Sequence, residues 1–275
     1  EDGQLESKGF ENTYKEEGSL VFRVSKEMEY WPKDKSFTVD LYQDGVNTGK
    51  SVTLTETSPE AFFEKITVTA PESHKYEFKE RGEDGQGITY DRQLRSYDVT
   101  WVSDGQGRLT ANQKRTGTDD AITAIDTGVM QIPAFRNTYT ASGSFTPQVT
   151  KSMMNGAKLI EDFRFDFYTK DEAGNPVDVK TVTVAANDKA SSGTAVFDTI
   201  NYGLADAGKT YTYYIKEQKG TNPGITYDET EHVITVALTD DSFGIITKQI
   251  TVDGKDVGDA DIANVAVSND YNTKG

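Results

Sequence analysis

Apolar residues in this chain recur at every second position over short runs, and Gly-, Asp- and Asn-rich turns separate the runs. Leu20, Phe22 and Val24 fall on one face of such a run while Arg23, Ser25 and Glu27 fall on the other, because side chains two apart on a strand point the same way. The same period, rich in β-branched and aromatic residues, marks Phe37-Val39-Leu41, Lys65–Val68, Tyr97–Val102, Phe163-Phe165-Phe167, Val179–Val184 and Val233–Leu238. Turn clusters stand at Gly82–Gly87, Asp104–Gly107, Ala173–Pro176 and Asp253–Lys255. No long amphipathic helical pattern is present, and Ser58–Lys65 is expected to form at most one short helical turn. The pattern predicts an all-β chain of two tandem sandwich domains.

The tandem arrangement rests on an internal repeat. Gly18-Ser19-Leu20, Val24-Ser25-Lys26 and Met28 match Gly143-Ser144-Phe145, Val149-Thr150-Lys151 and Met153 without a gap. Tyr76-Glu77-Phe78-Lys79-Glu80 parallels Tyr213-Tyr214-Ile215-Lys216-Glu217, and the run Gly-Ile-Thr-Tyr-Asp follows each, at Gly87–Asp91 and Gly224–Asp228. Each copy closes on a strand carrying Asn137 and Tyr139, or Asn269 and Tyr271. Phe10-Glu11-Asn12-Thr13-Tyr14 is similar to Phe135–Tyr139. Residues 1–16 therefore read as the last strand of a preceding repeat, with domains at 17–140 and 141–275. Asn12 has no lysine or glutamate of its own and is expected to stay unbonded.

Strand parity places polar residues where apolar ones belong. Lys26 continues the face of Leu20, Phe22 and Val24; Glu80 follows Tyr76 and Phe78; Asn137 lies between Phe135 and Tyr139. Lys151, Glu217 and Asn269 repeat the set in the same order. Singly, such a lysine snorkels to water, such a glutamate is a surface residue and such an asparagine belongs to a turn. Six positions of correct parity in two copies point instead to two buried sets. Unpaired burial of these groups is costly, and a lysine, an acid and a carboxamide in a dry pocket are what a spontaneous Lys–Asn isopeptide bond requires. Burial lowers a lysine's pKa and raises a glutamate's. The neutral amine can then attack the carboxamide carbon, with a protonated glutamate expected to donate to the carbonyl oxygen and to shuttle a proton to departing ammonia. Fixing the reactants together supplies an effective molarity on the order of 10⁵ M.

Composition narrows the setting. There is no cysteine in 275 residues, which excludes disulfides, thiolate metal sites and a cysteine nucleophile. A net charge of −16 argues against nucleic acid and anionic membrane surfaces as partners. No run approaches the roughly 18 apolar residues of a membrane span. No cofactor is expected.

The Lys/Glu/Asn sets, the Tyr-x-Tyr-x-Ile-x-Glu strand, Gly-Ile-Thr-Tyr-Asp and the closing Phe-x-Asn-x-Tyr resemble the streptococcal pilin isopeptide-linkage domain, over residues 18–140 and 141–275. That resemblance implies two immunoglobulin-like β-sandwiches, each with an isopeptide bond between its first and last strands. By position the pairs are Lys26–Asn137 with Glu80 as catalyst, and Lys151–Asn269 with Glu217. Val267 replaces the aromatic at Phe135, so Asn272 is a weaker alternative acceptor in the second copy. The resemblance further implies an extracellular protein of the Gram-positive cell surface, a monomeric stalk or shaft module whose partners are neighbouring repeats of its own chain.

Other signals are weaker. A host ligand could bind through Tyr30, Trp31 or the Gly82–Gly87 loop, which makes an adhesin module the alternative function. Tyr30-Trp31-Pro32-Lys33 resembles the Tyr-Pro-Lys motif joined by sortase in polymerising pilins, although a strand-connecting turn explains it as well. His74 and His232 sit in exposed-looking contexts with neither metal nor triad spacing. Asp119-Asp120, Asp240-Asp241 and Asp253–Asp261 lack the ordered ligand spacing of a calcium loop. Gly105-Gln106-Gly107 reads as a hairpin turn, and no nucleophile–base pair suggests a hydrolase.

Overall fold

A computed structural model describes residues 15–272; Asn12 lies outside the described residues. The chain divides into two compact units, Glu1–Tyr139 and Thr140–Gly275. Each described unit is built of β-strands, with only 3₁₀ turns at Met154–Gly156 and Leu204–Asp206 between them.

In the first unit the lysine strand, Gly18–Glu27, is the axis of one sheet. It pairs antiparallel with Glu60–Phe62 and Ile66–Val68, and parallel with Val129–Gln131 and Phe135–Arg136. The facing sheet has six strands, in the order Thr123–Ala124, Leu109–Arg115, Arg95–Ser103, Ser73–Glu80, Ser36–Gln43 and Val46–Thr55. Period-2 alternation sends Leu20, Phe22 and Val24 inward, where they join Val39, Leu41, Tyr76, Phe78 and Trp101 in one buried cluster. The Phe22 ring meets Tyr76 and Phe78 of the facing sheet at 4.9 Å in each case. This is a sandwich whose two inner faces supply the core.

The second unit repeats the plan. Ser142–Met153 pairs antiparallel with Ser192–Val196 and Ile200–Gly203, and parallel with Ile262–Tyr271. Opposite it run Pro176–Val184, Phe163–Lys170, Thr210–Glu217, Glu231–Asp240, Ile246–Val252 and Lys255–Gly258. In both units the first and last strands run in the same direction, side by side. In the second unit the closing strand is continuous, whereas in the first it breaks at Asn137 into Phe135–Arg136 and Thr138–Tyr139.

Ser58–Lys65 differs from expectation. It holds no helix; Glu60–Phe62 is a short edge strand against Arg23–Ser25, and Phe63 N–H donates to Phe22 O at 2.9 Å. A neighbouring strand with open hydrogen-bonding groups outcompetes one isolated helical turn.

The repeated glycine that opens each lysine strand has a packing cause. A Cβ on Gly18 would lie 2.6 Å from Leu109 O and 2.8 Å from the Trp101 ring, and one on Gly143 would lie 2.2 Å from Ile246 O. Only a residue without Cβ lets the strand start press against the hairpin of the facing sheet. Gly18→Ala is therefore expected to destabilise the first unit by about 1–3 kcal/mol. Both tryptophans, Trp31 and Trp101, belong to that unit, so urea unfolding followed by tryptophan fluorescence reads the effect directly.

Candidate functional site

Strand register brings the predicted residues together twice in the same way. Lys26 is level with Phe135 on the parallel closing segment, so Asn137 sits two residues further along the same face. Lys151 is level with Val267, and Asn269 again lies two residues on. Glu80 comes from the facing sheet, where it pairs with Val39, and Glu217 pairs with the corresponding Phe165. A one-residue slip in either sheet would turn these side chains to the opposite face.

The six side chains are buried. The Lys26 and Lys151 side chains are 0% exposed and those of Glu80 and Glu217 are 2% and 1%; Asn137 and Asn269 are buried as well. In the first unit Lys26 Nζ lies 2.5 Å from Glu80 Oε1, and Asn137 Nδ2 donates to the same oxygen at 3.1 Å. In the second, Lys151 Nζ lies 3.0 Å from Glu217 Oε2, and Asn269 Nδ2 donates to Oε1 at 2.8 Å. One carboxyl thus joins amine and carboxamide in each unit. The aromatic lid is also repeated: Lys26 Nζ is 4.0 Å from the Phe37 ring centroid, and Lys151 Nζ is 4.9 Å from that of Phe163.

Desolvation dominates the electrostatics. Burial pulls both lysines below the ordinary amine range and outweighs the partner glutamate, which pulls the other way. Burial likewise pushes Glu80 and Glu217 above the ordinary carboxyl range against their lysine and asparagine partners. Both shifts favour a neutral amine beside a neutral acid, the protonation states that nucleophilic attack needs. Glu80 Oε2 is buried without a hydrogen-bond partner, a position better suited to a protonated carboxyl than to a carboxylate.

The carbonyl oxygen of each asparagine is held by a group that the strand pattern did not assign. Asp91 N–H donates to Asn137 Oδ1 at 2.9 Å, and Asp228 N–H donates to Asn269 Oδ1 at 2.8 Å. These amides end the two Gly-Ile-Thr-Tyr-Asp runs, so the repeated pentapeptide was the available signal. In this arrangement the glutamates face the amide nitrogen, and a backbone N–H holds the amide oxygen. Asn272 is exposed, with its side chain on Asp270; it is not part of the site.

Asp91 is itself anchored. Its carboxylate accepts from Arg95, at 2.6 Å, and from the Gln93 and Arg136 backbone N–H groups. Arg95 is 1% exposed, donates to the carbonyls of Gln93, Pro133 and Ala134, and stacks 3.9 Å over Phe135. His232 holds the equivalent place in the second unit. It is buried rather than exposed, with Nδ1 2.8 Å from Asp253, because its strand residue is level with fully buried Ile215. His74 is partly covered, and Nδ1 lies 2.6 Å from Asp44.

A cleft of about 610 Å³ opens beside the first site, lined by Lys26, Met28, Trp31, Arg136 and Asn137 among others. Trp31 is half-buried, donating to Lys35 O at 2.9 Å and packing edge-on to Phe37; it braces the pocket rather than standing free on the surface. The Trp31–Lys35 segment is a turn in which Lys35 N–H donates to Pro32 O. Among the described residues no group of three or more His, Asp or Glu side chains could hold a metal, and no helix is long and apolar enough to cross a membrane.

The chain belongs to the FctA family, described as the Spy0128-like isopeptide containing domain, which matches residues 22–140 and again 147–272. The motif resemblance therefore holds, and the protein is a tandem pair of these all-β domains. Among solved structures it is similar to the major pilin protein T-13 from Streptococcus pyogenes, at 16% identity, TM-score 0.31, covering 92% of this chain and 97% of that one. It is also similar to a C-terminal fragment of the pilus adhesin SpaC from Lactobacillus rhamnosus GG, at 16% identity, TM-score 0.30 and the same coverages. A further similar structure is a major pilin from Streptococcus pyogenes, at 13% identity, TM-score 0.32, covering 92% of this chain and 98% of that one. No curated protein matches the chain significantly.

The Asp91–Arg95 anchor gives a pH prediction. Burial raises the Asp91 carboxyl, but Arg95 and the backbone donors outweigh it and hold the pKa down to about 2. A depressed acid stabilises the fold fully above its unfolded pKa, about 3.9, and loses that contribution as the pH falls through about 2. Asp91→Asn should cost the first unit about 3 kcal/mol at neutral pH by stranding a buried guanidinium. The gap from wild type should narrow towards pH 2 in the same fluorescence-detected unfolding experiment.

Proposed function

We propose that each domain closes a Lys–Asn isopeptide bond, Lys26 to Asn137 and Lys151 to Asn269, and that the protein serves as a load-bearing stalk segment of a Gram-positive surface adhesin or pilus. The observation that carries this reading is one buried carboxyl shared by an amine and a carboxamide, in the same strand register, in both domains. The neutral amine attacks Asn Cγ, and charge gathers on Oδ1 against the Asp91 or Asp228 N–H. Glutamate takes a proton from Nζ and delivers one to Nδ2, the C–N bond breaks and ammonia leaves. Each site reacts once and acts on no separate substrate, so it is self-processing rather than enzymatic turnover.

Function follows from where the bond lies. Pulling on the chain loads the first strand of a domain and unloads through the last. A covalent link between them carries the force past the hydrogen-bonded sheets. It also closes a loop of more than a hundred residues, worth about 4–5 kcal/mol if the chain-entropy relation for disulfides applies. In a chain without cysteine, an amide provides a lock that reductants do not open. The half-buried Trp31 lends little support to a binding module at that residue.

Intact-mass spectrometry should find the chain lighter than its sequence by two ammonia molecules. Lys26→Ala and Glu80→Ala should each restore one, and Glu80→Ala should retain the β-sheet circular dichroism of the parent. An unshifted mass for the parent chain rules the chemistry out. Under single-molecule pulling, the parent should extend without domain-unfolding steps, whereas Lys26→Ala should show one step of a full domain length.

A further inference from the structure

The closing strand of the second domain is held by its ladder; that of the first is held largely by one side chain. In the second domain pairing with the lysine strand runs from Thr146–Ile262 to Met153–Asn269 without a gap. In the first, pairing stops at Arg23–Gln131 and resumes for two positions only, Lys26–Phe135 and Glu27–Arg136. Ile132, Pro133 and Ala134 fill the gap, and Pro133 has no N–H to offer a ladder. Asn137 follows directly on the two paired residues.

Arg95 occupies this gap. Its Nε donates to Pro133 O at 2.8 Å, Nη1 to Gln93 O at 2.9 Å, and Nη2 both to Ala134 O and to Asp91 Oδ2, the latter at 2.6 Å. The guanidinium lies 3.9 Å over the Phe135 ring. Asp91 in turn accepts from the Arg136 N–H at 3.0 Å and gives its own N–H to Asn137 Oδ1. One rigid, planar fork thus ties the Gly87–Asp91 segment to the residues that lead into Asn137. In the second domain the same strand position holds His232, whose ring bonds Asp253, and the Asp228 carboxylate accepts from the Thr230 N–H.

Resting on the isopeptide reading, we infer that Arg95 is a positioning residue for the first bond: it stands in for the missing ladder and sets the Asn137 carboxamide against Lys26, a task the continuous strand performs in the second domain. Arg95 bonds none of the three reacting side chains. Its charge lowers the pKa of both Lys26 and Glu80, which helps the amine and opposes the neutral acid. Arg95→Lys keeps a cation at this place and removes the fork, so it separates position from charge.

The test uses the full chain made by cell-free synthesis, with samples acid-quenched during a chase and digested. Each cross-linked peptide pair is quantified by mass spectrometry, and the second bond serves as the internal reference for the first. Arg95→Lys should lower the rate of the first bond relative to the second by about ten- to hundredfold while tryptophan emission stays native, because three donors on one nitrogen cannot span acceptors spread along two segments. Arg95→Ala should fall likewise, and guanidinium chloride well below denaturing concentration should restore rate that sodium chloride does not. A ratio at the parent's value in a natively emitting variant overturns the inference. So does loss of native emission in both variants, which would make Arg95 a residue of the fold alone. Either result leaves the two bonds of the parent chain in place; a parent that closes neither bond overturns the isopeptide reading and this inference with it.

Discussion

Desolvation of one amine, one carboxyl and one carboxamide is the constraint around which each domain is organised. A charged lysine and glutamate buried together must recover several kcal/mol per ion through their mutual attraction. The neutral pair avoids most of that cost, and neutrality is also what makes the amine a nucleophile. The phenylalanine rings of Phe37 and Phe163 enforce it by closing water off from Nζ.

Everything else in the fold serves to hold that geometry. Parallel pairing of the first and last strands fixes lysine and asparagine two residues apart in register, and the facing sheet brings in the glutamate. The Gly-Ile-Thr-Tyr-Asp segment then aims a backbone donor at the carbonyl oxygen. The domains reach this state with different surroundings. The closing strand is broken at Asn137 and continuous through Asn269, and the Asp91 carboxylate is held by the buried Arg95 whereas that of Asp228 accepts from the Thr230 N–H. What both retain is the register and burial of the lysine, glutamate and asparagine.

The fold class and the six site residues were legible because strand parity is a strict period and the chain repeats it. Polar residues on an apolar face stand out against Leu20, Phe22 and Val24 in a way that surface residues do not. The backbone donors to the asparagine oxygens were not legible in that sense, since a backbone N–H has no residue type of its own; only the repeated pentapeptide marked their place. His232 looked exposed because its neighbours Glu231 and Glu229 are polar, yet its own parity points to the core. Trp31 escaped for a related reason: a turn residue's burial depends on what folds over it, here Phe37 and the Lys35 carbonyl. Ser58–Lys65 lost its expected helical turn to an edge strand whose partner lies more than thirty residues away in the chain.

Mechanical strength would then derive from chemistry completed at folding, with stability dependent on a bond that neither denaturant nor reductant reverses. The most direct test is a high-resolution electron-density map of either site. Continuous density between Lys26 Nζ and Asn137 Cγ, at the roughly 1.33 Å of a planar amide, with the bond oxygen on the Asp91 N–H, is the expected result. Two separate side chains at van der Waals distance or beyond, bridged by a water or held only as an ion pair, would contradict it.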